Sequence, residues 1–201
     1  MGRPSNTQLR RAEIVAGMGR ALARHGYAGA TVADIAREAG LAPGLVHYHF
    51  EDKRSILLAL VLDLAARLRV RAQHRDQEAA SSRDRLLAFL DAAVALGPDA
   101  DRDAVACWVA VSAEAVRDPE VRAVVARVSR ELHRELAARV RAALRERGRS
   151  VRRARTHAAV LWAAVQGSYA LSATAPSLLP RGAMAPALRA LVFDLLSREE
   201  A

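Results

Sequence analysis

Apolar residues recur at helical intervals along nearly the whole chain. Leu9, Ile14, Met18 and Leu22 predict a first helix over 7–25 that ends at His25-Gly26. Thr31 is a good N-cap, and Val32, Ile35, Ala36 and Ala39 then line one face of a helix of about two turns. Gly40 stops it, because the residue past a helix end usually needs a positive φ that glycine reaches without a Cβ penalty. Pro43 lacks the N–H that a first helical turn leaves unpaired, so a second short helix runs from there to Phe50. Ile56, Leu57, Leu60, Val61, Leu64 and Leu68 form the next stripe, a helix over 54–71. Residues 72–83 lose the stripe and turn polar, which marks a domain boundary. Further helical patterns cover 84–96, stopped by Gly97-Pro98, then 103–116, 118–148, 152–174 and, after the loop PSLLPRG, 184–197. With no strand pattern, the expected fold is all-α with about nine helices: a head at 1–53 containing a helix-turn-helix at 31–50, a linking helix at 54–71, and a second helical domain at 72–201.

A helix-turn-helix has a geometric use, since its second helix is narrow enough to lie in the major groove of DNA. An ordinary helical hairpin has the same outline. The second helix is nevertheless poor in aliphatic residues for a core element, and His47, Tyr48 and His49 give it polar ring tips. Lys53, the only lysine, stands where an ammonium can meet a phosphate as a point charge.

Residues 26–60, GYAGATVADIAREAGLAPGLVHYHFEDKRSILLAL, closely resemble the N-terminal DNA-binding domain of the TetR family of transcriptional regulators. Thr31, Ile35, Ala36, Ala39, Gly40, Gly44, Phe50, Lys53 and Leu57 stand where that family's pattern has them. Ala42 replaces the serine that often caps the recognition helix, and His47 and His49 stand where tyrosine is commoner. A missing cap costs roughly 1 kcal/mol, so the start of this helix is expected to firm up on DNA. The resemblance implies DNA contacts from Thr31, Pro43, Gly44, Leu45, His47, Tyr48, His49 and Lys53, on a double-stranded operator.

Charge changes this picture little. There are 31 Lys plus Arg against 22 Asp plus Glu, a net charge of +9, which suits a polyanionic partner. Within 1–53, however, Arg3, Arg10, Arg11, Arg20, Arg24, Arg37 and Lys53 face five acidic residues, so most of the excess lies further on. Twelve arginines fall between Arg122 and Arg155, a density expected for the solvated faces of long helices, with Glu131 and Glu135 as ready partners. The basic start MGRPSNTQLRR reads as an arm for a phosphate or minor groove. A single cysteine, Cys107, excludes an internal disulfide and suits a reducing cytoplasm. The longest mostly apolar run, 158–175, is interrupted by Gln166, Ser168 and Tyr169, and no membrane association is expected. No HExxH, GxSxG or Walker loop is present, and His47 and His49, two apart on a helix, diverge. An enzyme, a metal site and a cofactor are therefore not expected.

The penultimate helix carries the small residues Ala159, Ala163, Ala164, Gly167, Ala170 and Ser172, and the last carries Leu188, Leu191, Val192, Leu195 and Leu196. These faces suit helix packing between subunits, and the family resemblance implies a homodimer through these last two helices. Phe89, Trp108, Trp162 and Tyr169 are four of the eight aromatic residues, and with Val111 and Gln166 they are candidates for lining a small-molecule pocket. WVAVSAEAVRDPEVRAV, over 108–124, is similar to the C-terminal domain of BetI-type members of the family, which respond to choline-related ligands. The effector itself is unknown from the sequence. The resulting expectation is a cytoplasmic, ligand-responsive repressor whose residues 72–201 bind effector and dimerise. The alternative is a DNA-binding protein with a purely structural C-terminal half.

Overall fold

The computed structural model describes residues 6–94, 102–180 and 182–197. Among them every regular element is helical: α1 (Asn6–Gly29), α2 (Val32–Ala39), α3 (Pro43–His49), α4 (Lys53–Asp76), α5 (Ser82–Ala93), α6 (Arg102–Arg117), α7 (Pro119–Glu146), α8 (Ala154–Thr174) and α9 (Met184–Ser197), with one 3-10 turn at Pro176–Leu178. The fold is all-α, as the periodicity expects. The start of the basic arm and the Gly97-Pro98 stop lie outside the described residues.

Two compact units share the chain: residues 1–65 with 102–128, and residues 66–101 with 129–201. The expected boundary after residue 71 falls inside α4. That helix outruns its own apolar stripe because tertiary partners hold its last turns: Arg69 pairs with Glu131 at 3.2 Å and Glu135 at 2.8 Å, Ala72 is buried, and Asp76 accepts from Arg139 at 2.8 Å. Glu131 and Glu135 thus serve α4 rather than arginines of their own helix. Only residues 77–81 then connect α4 to α5, which starts earlier than its stripe because the Ser81 hydroxyl caps it, accepting from the Asp84 amide at 3.0 Å.

In the first unit, Ile14, Met18, Leu22, Ile35, Ala36, Val46, Phe50, Ile56, Leu57 and Leu60 are all at least nine-tenths buried. α1 passes under the helix-turn-helix and is broken at Gly26, whose φ of 64° and ψ of 174° leave the helical region before a further turn forms. α6 joins this unit, with the Cys107 thiol donating to the Gly19 carbonyl of α1 at 3.4 Å. The Asp118 side chain caps α7, accepting from the amides of Glu120 and Val121 at 2.8 and 3.2 Å. Those backbone bonds, above all from Val121, hold its carboxyl below the usual range. In the second unit, the end of α4, α5, the later part of α7, α8 and α9 bury Leu68, Phe89, Leu90, Leu132, Leu136, Val140, Leu161, Val165, Leu188, Val192 and Leu196. No described helix is long and apolar enough to cross a membrane.

Candidate nucleic-acid interface

The helix-turn-helix is set by local backbone chemistry. Thr31 and Asp34 form a full capping box: the Thr31 hydroxyl accepts from the Asp34 amide at 3.1 Å and donates to the Asp34 carboxylate at 2.6 Å, which also accepts from the Thr31 amide at 3.0 Å. At the other end Gly40 takes φ 69°, and Leu41 returns its amide to the Ala36 carbonyl at 2.9 Å. The hydroxyl and amide of Thr31, with the Arg37 guanidinium, pull the Asp34 carboxyl down to about 2. Because that value lies below the ordinary carboxylate range near about 4, the stabilisation is complete above about 4 and is lost as pH falls from there through about 2. Acidification through this window is expected to loosen α2, seen as faster amide exchange at Asp34 and Ile35. An Asp34→Asn chain showing the same acid response would contradict this.

α3 has only seven residues and no side-chain cap, since Ala42 occupies its N-cap position. Two anchors fix it. Val46 and Phe50 are 1% and 5% exposed, and their four-residue spacing puts them on one face. The other face consists of exposed Pro43, Gly44 and His47, with Tyr48 80% exposed, the most exposed of the large apolar side chains described. Leu45 is half-buried. His49 is half-buried too, its ring edge-on to Tyr48 with centroids 5.0 Å apart. The helix therefore presents polar ring tips beside an exposed glycine.

Cations from other helices complete the helix ends. Arg11 donates to the His49 carbonyl at the end of α3 and lies 4.0 Å from the centre of the Phe50 ring. Arg20 donates to the Glu38 carbonyl near the end of α2. Lys53 donates to the carbonyls of Tyr27 and Ala30 at 2.8 and 2.9 Å and sits 4.4 Å from the Tyr27 ring centre. α1 has no basic residue in its own last turn, so Lys53 supplies the positive charge that a helix C-terminus favours. Lys53 is thus a clamp within the head, a role absent from the sequence reading. Thr31 similarly spends its hydroxyl on capping. Arg10, Arg20, Arg24, Arg37 and Arg54 pair with carboxylates, whereas the bonds of Arg11 and Lys53 go to carbonyls and rings. The sequence reading put Arg11 at the end of a basic arm, but from Asn6 on that stretch is part of α1, and nothing local links Arg11 to a carbonyl 38 residues away.

The expected small-molecule residues do not share one unit. Trp108 and Val111, 7% and 0% exposed on α6, belong with the head. Phe89, Trp162, Gln166 and Tyr169 belong to the other unit. There Phe89 is fully buried beneath the Arg139 guanidinium, 4.9 Å from its ring centre. Tyr169 is buried on α8 and donates its hydroxyl to the Ala93 carbonyl, and burial pushes its phenol far up. Trp162 and Gln166 are half-buried, and the amide oxygen of Gln166 is sealed from solvent without a hydrogen-bond partner.

Residues 14–60 match the description of bacterial regulatory proteins of the tetR family, and residues 82–197 match that of the C-terminal part of BetI-type transcriptional repressors. The HTH-type transcriptional regulator BetI of Rhizobium meliloti (strain 1021) is 32% identical over 134 residues, which cover 67% of this chain and 66% of that protein. The chain thus matches just under two thirds of that relative's length. A TetR-family transcriptional regulator from Rhodococcus sp. has the same fold, with a TM-score of 0.80 at 24% identity over 94% of this chain and 100% of that one. A transcriptional regulator from Saccharomonospora viridis, solved in complex with choline, superposes with a TM-score of 0.76 at 24% identity over 95% and 97% of the two chains.

Proposed function

The chain belongs to the TetR family of bacterial regulatory proteins, with a BetI-type C-terminal half, and from that premise we propose that it is a DNA-binding transcriptional repressor, acting as a homodimer on a palindromic operator and released by a small molecule. The observation that carries the DNA half is α3: Val46 and Phe50 lock it inward while Pro43, Gly44, His47 and Tyr48 face out on a head whose Arg11 and Lys53 add positive charge. His47 reads bases, Tyr48 meets the backbone, and Leu45 and His49 support them, while Thr31, whose hydroxyl and amide both donate to Asp34, acts by capping α2. Lys53 keeps one ammonium N–H for a phosphate after its two carbonyls are served. Membership of a regulator family, and not of an enzyme family, agrees with the missing catalytic motifs. A DNA partner also agrees with the expected cytoplasmic location.

The dimer reading rests on α8 and α9. Leu188, Val192 and Leu196 face inward, while Leu191 and Phe193 are 38% and 52% exposed, as are Val160 at 53% and the small Ala159, Ala163, Gly167 and Ala170. A strip of that kind suits a second copy, whose two-fold axis would set recognition helices roughly 34 Å apart. The effector reading draws on Phe89, Trp162, Gln166 and Tyr169, with α4 continuous from Lys53 to Asp76 as the transmitting element. Coupling of about 1–3 kcal/mol changes affinity by roughly 5- to 150-fold. One fact favours a purely structural C-terminal half, namely that Tyr169 already spends its hydroxyl on Ala93.

Selection of random duplex DNA by the full chain tests the reading. An inverted repeat with half-sites about one helical turn apart is expected. His47→Ala should change the preferred base at one position in each half-site while the dimer persists. Selection without any repeat, or an unchanged preference in His47→Ala, would remove the proposal.

A further inference from the structure

Resting on the effector reading above, we propose that the C-terminal half takes a singly charged, amphipathic carboxylate, held by Arg71 and Arg139. Both arginines belong to the unit formed by 66–101 and 129–201, one from α4 and one from α7. The Nε atom of each is sealed from solvent with no hydrogen-bond partner. Arg71 has no hydrogen bond or ion pair to any described residue, although its charge is felt at the buried Tyr169 phenol. Arg139 lies over the fully buried Phe89 ring and gives one terminal nitrogen to Asp76 at 2.8 Å, both side chains being about three-quarters buried. Phe89 and Ala93, whose carbonyl Tyr169 holds, stand one turn apart on the same face of α5. Tyr169 and Arg139 therefore meet neighbouring turns of α5, and Arg71 stands on α4 with its charge reaching Tyr169.

The chemistry of this group selects the ligand. A half-buried guanidinium with an unused planar fork is the donor that a carboxylate fits with two parallel hydrogen bonds. Arg71 and Arg139 against the single Asp76 leave one net positive charge, which matches a monoanion better than a phosphate dianion. Arg83, whose Nε is also sealed, stands six residues before Phe89 on α5, about 9 Å along the axis, and is too far to share the same head group. Phe89 and the neighbouring Leu86 and Leu90 are almost fully buried, so the surroundings of the head group are apolar and favour an amphipathic ligand. The arrangement offers a quaternary ammonium no free aromatic face: Phe89 is already covered by a cation, and Asp76 accepts from Arg139 with one oxygen while its other is sealed from solvent without a partner.

Two probe series with the same straight alkyl tails and opposite heads, n-alkyl carboxylates and n-alkyltrimethylammonium ions, distinguish the cases by thermal shift of the full chain. The carboxylates are expected to raise Tm with an optimum in tail length, and the ammonium ions to leave it unchanged. Arg71→Gln breaks no contact in the unliganded protein, so its own Tm should hold while carboxylate affinity falls at least roughly tenfold, the loss of a charge-assisted fork. Arg139→Gln should act in the same direction. Unchanged carboxylate binding in Arg71→Gln overturns the site. Stabilisation by the ammonium series alone overturns the anionic class and leaves the effector reading standing, whereas silence from both series removes the anionic site and the support it draws from that reading.

Discussion

Gly17→Val is expected to disable the DNA-binding head, lowering its stability by about 3 kcal/mol, at the upper end for overpacking, and operator affinity with it. Gly17 lies buried where α1 passes beneath α2. A Cβ added there would stand 2.7 Å from the Ile35 carbonyl oxygen and 2.9 Å from both the Cβ and the amide nitrogen of Ala39. Two of those three atoms are backbone, so no rotamer change relieves the clash and α2 itself must move. Replacing glycine inside a helix normally gains about 0.5–1 kcal/mol for alanine, and less for β-branched valine. The steric term is larger and decides the sign. α2 also supports α3 through the tight turn at Gly40, so a displaced α2 re-aims His47 and Tyr48. Urea unfolding and DNA binding of the same variant check both consequences. A midpoint and an operator affinity equal to the parent's would show that the helices separate freely here.

Lys53→Met is expected to lower both stability and DNA affinity, and the two losses have separate readouts. Methionine keeps the apolar stem and deletes the charge. The deletion leaves the Tyr27 and Ala30 carbonyls without their donor and removes the cation over the Tyr27 ring. Hydrogen bonds to charged groups contribute about 1.5–3 kcal/mol each. Lys53 is half-exposed and water can replace part of the loss, so a total near 2 kcal/mol is the expected cost. Loss of a phosphate contact should also weaken binding to all sequences alike and reduce the salt slope by about one unit. A lower Tm with an unchanged slope would make Lys53 a clamp alone. An unchanged Tm would contradict the clamp, whatever happened on DNA.

The sequence by itself determined the helix-turn-helix, because every signal that defines it acts within a few residues. Thr31 caps, Gly40 supplies the positive φ, Pro43 opens α3, and the spacing of Val46 and Phe50 chooses its buried face. The same holds for the nine helices among the described residues, whose apolar periodicity follows from 3.6 residues per turn wherever one face is buried. What the tertiary structure decided is where distant groups meet. Arg69 finds Glu131 and Glu135 more than 60 residues away and extends α4 beyond its stripe. Arg11 closes α3, and Lys53, expected to meet a phosphate, also caps the end of α1. Trp108 joins the head although its aromatic character had grouped it with Trp162 and Tyr169. Periodicity tells a residue which way to face along its own helix and carries no information about the partner opposite. A guanidinium or an indole can serve several partners equally well, and the choice is made only when packing brings one particular carbonyl, carboxylate or ring within reach.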